Sequence, residues 1–308
     1  MATVPTRRKT WGTNPDNAVI VEVAINGGRP KAANPRVPRT PEEISLDTLA
    51  CLEAGASIVH NHNDDPNFGG TGRHDAEPYL AAWRPVLAQR PDAILYPTME
   101  GGGTHTTIKT RTAHLEELAA AGVLKMAIVD MGTTNMGGLD ERGVPTASDD
   151  LFINTNGDAH YMFDLCRRHQ LGPSIGIIEP GSIRVLLAFW RNGLLPQGAM
   201  VRLMFGGENA LCGLPPTPAA LDLYLELLEP TGLPWSVAII GGNPLDLPLA
   251  AYALERGGHL RIGLEDNPTP TGSNSTLVQQ ALDLINTTSR PLATTAVTKT
   301  VLGLPETR

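Results

Sequence analysis

Short apolar runs, rich in β-branched residues, recur along the chain, and each is followed by a longer stretch with helical apolar spacing. The runs predict eight strands, at 18–25, 56–60, 93–96, 123–129, 174–178, 200–205, 235–240 and 259–263. Several are apolar on successive residues, the pattern of strands covered on both faces of a parallel sheet. The first predicted helix starts at Thr40-Pro41-Glu42-Glu43, where Thr40 suits the N-cap, Pro41 the first turn and Glu43 a capping box. Ile44, Leu49, Cys51 and Leu52 give it an apolar stripe, and Gly55 suits its end. Further helices are predicted at 78–89, 110–121, 158–170, 182–192, 217–229, 246–256 and 274–288.

Strand followed by helix, eight times, predicts an α/β fold: a (β/α)8 TIM barrel forming a single domain over 1–308, with 1–17 an N-terminal extension. An open doubly wound sheet is the structural rival, but no strand leads into G-x-G-x-x-G. The segments 26–39 and 131–157 read as long irregular loops, both on the face where this fold builds its sites.

Length and composition fit this picture. The chain has 308 residues, 41% hydrophobic and 18% charged, enough for one sizeable core. A net charge of -8 disfavours nucleic-acid partners. No apolar run is long enough to predict a membrane span, and no apolar stretch follows Arg7-Arg8-Lys9 as a signal peptide would require. Cys51, Cys166 and Cys212 are far apart and suit reduced, buried thiols in a cytoplasmic protein.

Polar and glycine residues collect at the C-terminal ends of the predicted strands. They include Asn26-Gly27-Gly28, His60-Asn61-His62, Thr98-Met99-Glu100 and Asp130 with Gly132-Thr133-Thr134-Asn135. Glu179, Gly206-Gly207-Glu208-Asn209, Gly241-Gly242-Asn243 and Glu265-Asp266-Asn267 complete the set. Strand residues two apart point to the same side, so His60 and His62 can face one point. Two neutral imidazoles plus a carboxylate such as Glu265, with one position open, suit catalytic zinc, although an incidental polar pair has the same spacing. Glu265-Asp266 at the end of a buried strand is costly unless paired or metal-bound, and Arg261 is placed to hold a carboxylate or a substrate anion. Glycines 101–103 and the 132–135 loop offer donors for a carboxylate, a phosphate or an enolate oxygen. Of the other histidines, only His105, beside the glycine triplet, is a candidate for more than surface or packing.

Together these motifs resemble the β-keto acid cleavage enzymes, of the 3-keto-5-aminohexanoate cleavage type. The resemblance runs over nearly the whole chain. It includes Ala24-Ile25-x-Gly27, Pro38-x-Thr40-Pro41-Glu42-Glu43-Ile44, Glu53-Ala54-Gly55-Ala56-Ser57-Ile58-Val59-His60-x-His62 and Gly132-Thr133-x-Asn135. Its most specific stretch is Gly257-Gly258-His259-Leu260-Arg261-Ile262-Gly263-Leu264-Glu265-Asp266-Asn267.

The resemblance implies a zinc-dependent homo-oligomeric barrel that condenses a β-keto acid with acetyl-CoA, giving acetoacetate and a new acyl-CoA. His60, His62 and Glu265 would ligate Zn2+ (or another divalent metal), and the 3-keto oxygen would be polarised there. Asp266, supported by Arg261, would take a proton from the acetyl-CoA methyl group. The carbanion would attack the keto carbon, CoA would move onto the acid's carboxylate, and a retro-Claisen step would release the products. Thr133 and Asn135 match residues that position the substrate carboxylate, and Thr98, Gly101 and Gly102 complete the expected binding loop.

The sequence also departs from the family pattern. Many members carry an acidic residue after the first-strand glycine, assisting the base, where this chain has Gly28-Arg29. After the second histidine the usual x-Arg is Asn63-Asp64, and a Ser-Thr-Gly-Gly loop is replaced by Pro97-Thr98-Met99-Glu100-Gly101-Gly102-Gly103. Glu100 and Glu179 are candidates to replace the lost carboxylate. Arg29 suits a negatively charged substrate tail, such as a second carboxylate, or is a solvated loop cation. The altered loops leave two alternatives open: a CoA-independent metal-dependent aldolase or decarboxylase, and a non-catalytic metal- or ligand-binding barrel.

Overall fold

The computed structural model describes residues 11–64, 74–101, 106–267 and 272–305. Its strands are β1 (Val21–Ala24), β2 (Ile58–Asn61), β3 (Ile94–Pro97), β4 (Met126–Met131), β5 (Thr134–Asn135), β6 (Leu151–Phe152), β7 (Gly172–Ile177), β8 (Met200–Gly206), β9 (Trp235–Ile240) and β10 (His259–Ile262). Eight of them form one parallel sheet in the order β3-β2-β1-β10-β9-β8-β7-β4. The two end strands, β3 and β4, lie in contact, so the sheet is nearly closed into a barrel. β5 and β6 pair antiparallel as a short ribbon within the 131–157 connection.

The helices wrap the outside: α1 (Pro41–Ala54), α2 (Ala76–Gln89), α3 (Ile108–Arg111), α4 (Ala113–Ala120), α5 (Asn156–His169), α6 (Ile183–Arg191), α7 (Pro218–Leu228), α8 (Pro248–Glu255), α9 (Asn274–Asn286) and α10 (Thr295–Leu302). α1 begins as its sequence predicts. Thr40 accepts from the backbone N–H of Glu43, the Glu43 carboxylate accepts from Thr40 N, and Gly55 closes the helix at φ 119°. All eight barrel strands lie within or beside their predicted runs. The first and the fourth each start three residues late, and at the fourth Val123 and Leu124 become a buried approach to the sheet.

Three features depart from expectation. The helix at 110–121 is broken into α3 and α4, because Arg111 turns inward to donate to the carbonyls of Glu100 and Ile153 and to Asn154 Oδ1. The 131–157 loop contains the β5–β6 ribbon, and this arginine holds the residues that follow its end, Ile153 and Asn154. Beyond the predicted end at 288, α10 closes the chain. Gly12 and Thr13 donate to the carbonyls of Val301 and Thr300, docking residues 11–13 of the predicted N-terminal extension onto α10. The core is one continuous apolar cluster from sheet and helices. All three cysteines are buried and unpaired, and burial pushes the Cys166 thiol up to about 12. Among the described residues no helix is long and apolar enough to cross a membrane.

Candidate active site

The C-terminal ends of the barrel strands surround a cavity of about 440 Å³. On one wall lie His60, His62, Arg261, Glu265 and Asp266, with Arg29 and Thr98 alongside. The register explains why residues distant in sequence meet here. β1 lies between β2 and β10, with Ala24 opposite His60 and Glu22 opposite Arg261. β10 then ends at Gly263, whose φ of 139° turns the chain. A Cβ there would stand 2.0 Å from the Ala24 carbonyl oxygen, so only glycine permits this approach. Glu265 N donates to that same carbonyl, at 3.1 Å. The turn solves the problem of adjacent residues facing opposite ways: both Glu265 and Asp266 reach Arg261.

One oxygen of Glu265 lies 3.4 Å from His60 Nε2 and 3.4 Å from His62 Nε2, and one potential ligand atom from each of the three residues falls within 4.8 Å of the others. Two ligand atoms each about 2.0–2.1 Å from a tetrahedral zinc would lie about 3.3 Å apart, so the spacing fits a shared ion. The donors are prepared for it. His60 Nδ1 lies 3.2 Å from the Tyr96 carbonyl, which assigns it the proton and leaves Nε2 with its lone pair. Burial depresses the His60 pKa well below its ordinary value, keeping the ring neutral. Asn26 fixes His62 by accepting from its backbone N–H at 2.8 Å and donating to its carbonyl at 3.0 Å. For Glu265, burial works upward, but His62, His60 and Arg261 outweigh it and hold the carboxyl well below the usual range. A carboxylate, the neutral His60 ring and the His62 ring beside it are therefore available to a divalent cation.

The second oxygen of Glu265 accepts from Arg261 Nη2 at 2.8 Å, and Asp266 accepts from Arg261 Nε at 3.0 Å. Burial, with Glu265 adjacent, pushes the Asp266 pKa up against the pull of Arg261. The result is a carboxylate more basic than usual beside the ligand set, as a general base requires.

The remaining predicted residues divide. Thr98 lines the cavity, as does Arg29, whose Nε donates to the Glu265 carbonyl at 2.9 Å. Gly101 is buried, and its carbonyl accepts from Ile153 N rather than lining the cavity; Gly102 and His105 lie outside the described residues. Thr133 bonds the backbone of Asn154, and Asn135 is exposed on β5; neither is on the cavity wall. Neither candidate replacement carboxylate reaches Arg261. Glu100 stands 3.5 Å from His74, and Glu179 accepts from Gly213 N.

Sequence reasoning missed Glu22 on β1, Tyr96 on β3 and Arg202 on β8, all buried inside the barrel. Asp130, seen only as a strand-end residue, pairs with Arg202 at 2.6 Å. Gly176 makes room for that pair, since a Cβ there would sit 2.0 Å from Asp130 Oδ1. The signal for Glu22 and Arg202 was present: each is the lone charge in an otherwise apolar run.

A comparison with protein families matches residues 18–304 to the beta-keto acid cleavage enzyme family. The chain belongs to that family. Its relatives include the 3-keto-5-aminohexanoate cleavage enzyme of Fusobacterium nucleatum, 28% identical over 93% of this chain and 98% of that protein. Another is the 3-oxoadipate:acetyl-CoA acetyltransferase of Cupriavidus necator, 29% identical over 93% of this chain and 95% of that one. Among solved structures, ObcA in a ternary complex with a C4-CoA adduct and oxalate superposes with a TM-score of 0.64 at 20% identity, covering 88% of this chain and 68% of that one. This last likeness supports the barrel fold.

Proposed function

We propose that this chain is a zinc-dependent β-keto acid cleavage enzyme that condenses a β-keto acid with acetyl-CoA, giving acetoacetate and a new acyl-CoA. The observation that carries the reading is Glu265, whose two oxygens face different partners: one the His60–His62 pair, the other Arg261. In this reading His60, His62 and Glu265 hold the ion, which when bound supplies Lewis-acid polarisation of the keto oxygen.

The protein's own part is positioning and proton transfer. Asp266 takes a proton from C2 of the β-keto acid rather than from the acetyl-CoA methyl group, because acetoacetate keeps that methyl intact. Its basicity is raised by burial and its orientation held by Arg261 Nε. The C2 carbanion attacks the thioester carbonyl of acetyl-CoA and displaces the CoA thiolate. The thiolate then adds to the acid's own keto carbon. Retro-Claisen cleavage of the C2–C3 bond releases the new acyl-CoA and the acetoacetate carbanion, which takes back the proton from Asp266. Across the cavity Ile128, Met136, Phe152, Ile178, Met204 and Ile240 form an apolar wall that limits the access of water to the carbanion. Arg29, fixed to the backbone beside the ligand Glu265, is the group proposed to meet a negatively charged substrate tail. A homo-oligomeric, cytoplasmic enzyme completes the proposal, and light scattering of the purified protein tests its assembly.

Metal analysis of purified protein should find about one zinc per chain. Turnover of β-keto acids should require acetyl-CoA; equal turnover without it would replace this reading with a CoA-independent lyase. Monocarboxylic and dicarboxylic β-keto acids, compared in wild type and in Arg29→Ala, test the substrate tail. Selective loss of the dicarboxylic substrates is the expected result.

A further inference from the structure

β1 reads Val21-Glu22-Val23-Ala24, and Glu22 is fully buried inside the barrel. Its Oε1 accepts from Arg261 Nη1 at 2.9 Å and from the Tyr96 hydroxyl. Tyr96 OH in turn accepts from Arg261 Nη1 and from Ser174 Oγ, each at 3.3 Å. The two residues that Glu22 holds are those that orient the candidate site. Arg261 presents its other two nitrogens to Glu265 and Asp266, while the Tyr96 carbonyl fixes the His60 tautomer and its ring lies 4.5 Å from the His60 ring. Glu22 is thus bonded to residues that contact the base and two of the three ligands.

Stability does not explain this carboxylate. Its Oε2 is buried with no hydrogen-bond partner among the described residues, an arrangement that costs free energy. Arg261 already has two other carboxylates, so it would not be left unpaired without Glu22. Charge offers a better reason. The buried polar cluster sets four carboxylates, those of Glu22, Asp130, Glu265 and Asp266, against two guanidiniums, those of Arg202 and Arg261. With every group ionised, two negative charges are in excess, which a divalent cation balances. Without Glu22, the Arg261 charge would act on Glu265 and Asp266 with no third carboxylate to offset it, and Glu265 would become a weaker ligand.

We infer that Glu22 is a positioning residue of this site, holding Arg261 and Tyr96 from inside the barrel and supplying a carboxylate in place of the one missing at Gly28-Arg29. The inference rests on the metal-site reading above. Neither Glu100 nor Glu179 meets Arg261, whereas Glu22 sits opposite it in the strand register.

The test is Glu22→Gln, which keeps the shape and a hydrogen-bonding oxygen but removes the charge. In the zinc-loaded enzyme kcat should fall on the order of 10–100-fold, with the KM for each substrate changed by less than about threefold. The Tm should stay level or rise. Zinc affinity, measured by competition with a chromophoric chelator, should weaken about tenfold. An unchanged kcat, a failure to fold, or a kcat loss that tracks a fall in Tm would each overturn the inference. If wild type shows no acetyl-CoA-dependent turnover, the proposed reaction fails by itself, and Glu22 is then judged on zinc affinity: weakening supports its role, and equal affinity in the two proteins overturns it.

Discussion

Arg261 and Arg290 are both buried, and they serve opposite ends of one barrel. Arg261 is surrounded by carboxylates, which raise its pKa well above the ordinary value against the effect of burial. Among the described residues the Arg290 guanidinium meets only carbonyl oxygens, those of Asn17, Leu254, Gly257 and Gly258, and burial lowers its pKa to about 10. Three of the carbonyls are fixed dipoles at the end of α8 and in the following turn, and the fourth belongs to the segment before β1, so Arg290 ties these parts of the chain together. Two histidines repeat the contrast. His60 directs Nε2 at a carboxylate shared with His62, whereas His259 accepts from Ile20 N at 3.1 Å and joins β10 to the approach of β1. Residue type and burial are the same in each pair, and the partners decide whether a group maintains the fold or is prepared for chemistry.

The strongest way to break this contrast is to remove the histidines. His60→Ala should lose the bound metal and reduce turnover on the order of 10³-fold, read by metal analysis and steady-state kinetics. Per folded molecule, His259→Ala should leave turnover unchanged. Full activity in His60→Ala would erase the distinction.

The arginines come next. Arg290→Met strips several buried carbonyls of their donor and should cost about 3 kcal/mol, read by chemical denaturation, with kcat unchanged in the folded fraction. Arg261→Met should lower kcat on the order of 10²-fold even where the protein remains folded, because Asp266 loses the group that orients it.

A smaller effect concerns pH. Burial, with Arg290 nearby, lowers the His259 pKa to about 3, while the unfolded ring titrates near 6.5. Below pH 6.5 the unfolded chain therefore binds the extra proton. The stability contributed by the neutral ring is fully present above pH 6.5 and is lost towards pH 3, at about 1.4 kcal/mol per pH unit. His259→Gln should show a shallower decline between pH 6.5 and 4.5 in urea denaturation. An identical slope would contradict the assignment.

The smallest expected effect sharpens the contrast from the other side. Thr40 stands on the catalytic face, but its role is to cap α1. Thr40→Ala should cost about 1 kcal/mol of stability with kcat unaltered, so nearness to the site does not by itself confer function.

Much of this was legible in the sequence because the signals are local. Buried parallel strands must be apolar on both faces, so β2, β8 and β9 stand out as runs. The α1 cap is written in four consecutive residues. His60 and His62 share a strand, and Glu265-Asp266 closes another. What was missed depends on neighbours remote in the chain. The helix at 110–121 breaks because Arg111 binds carbonyls some forty residues ahead in the chain. Thr133 and Asn135, placed by motif in the binding loop, stand off the cavity wall because the β5–β6 ribbon takes up their segment.

By itself the sequence determined the barrel, the end of it that bears the site, and the three ligand candidates, since residue spacing along a strand sets which way each side chain faces. Only the tertiary structure decided how the charges inside are shared. Glu22 and Arg261 are opposed because β1 and β10 pair in one register, and a shift of one residue would turn Glu22 out of the barrel interior. Register arises from packing of the whole sheet, and it is what leaves Glu100 beside His74 and puts Glu22 beneath the site.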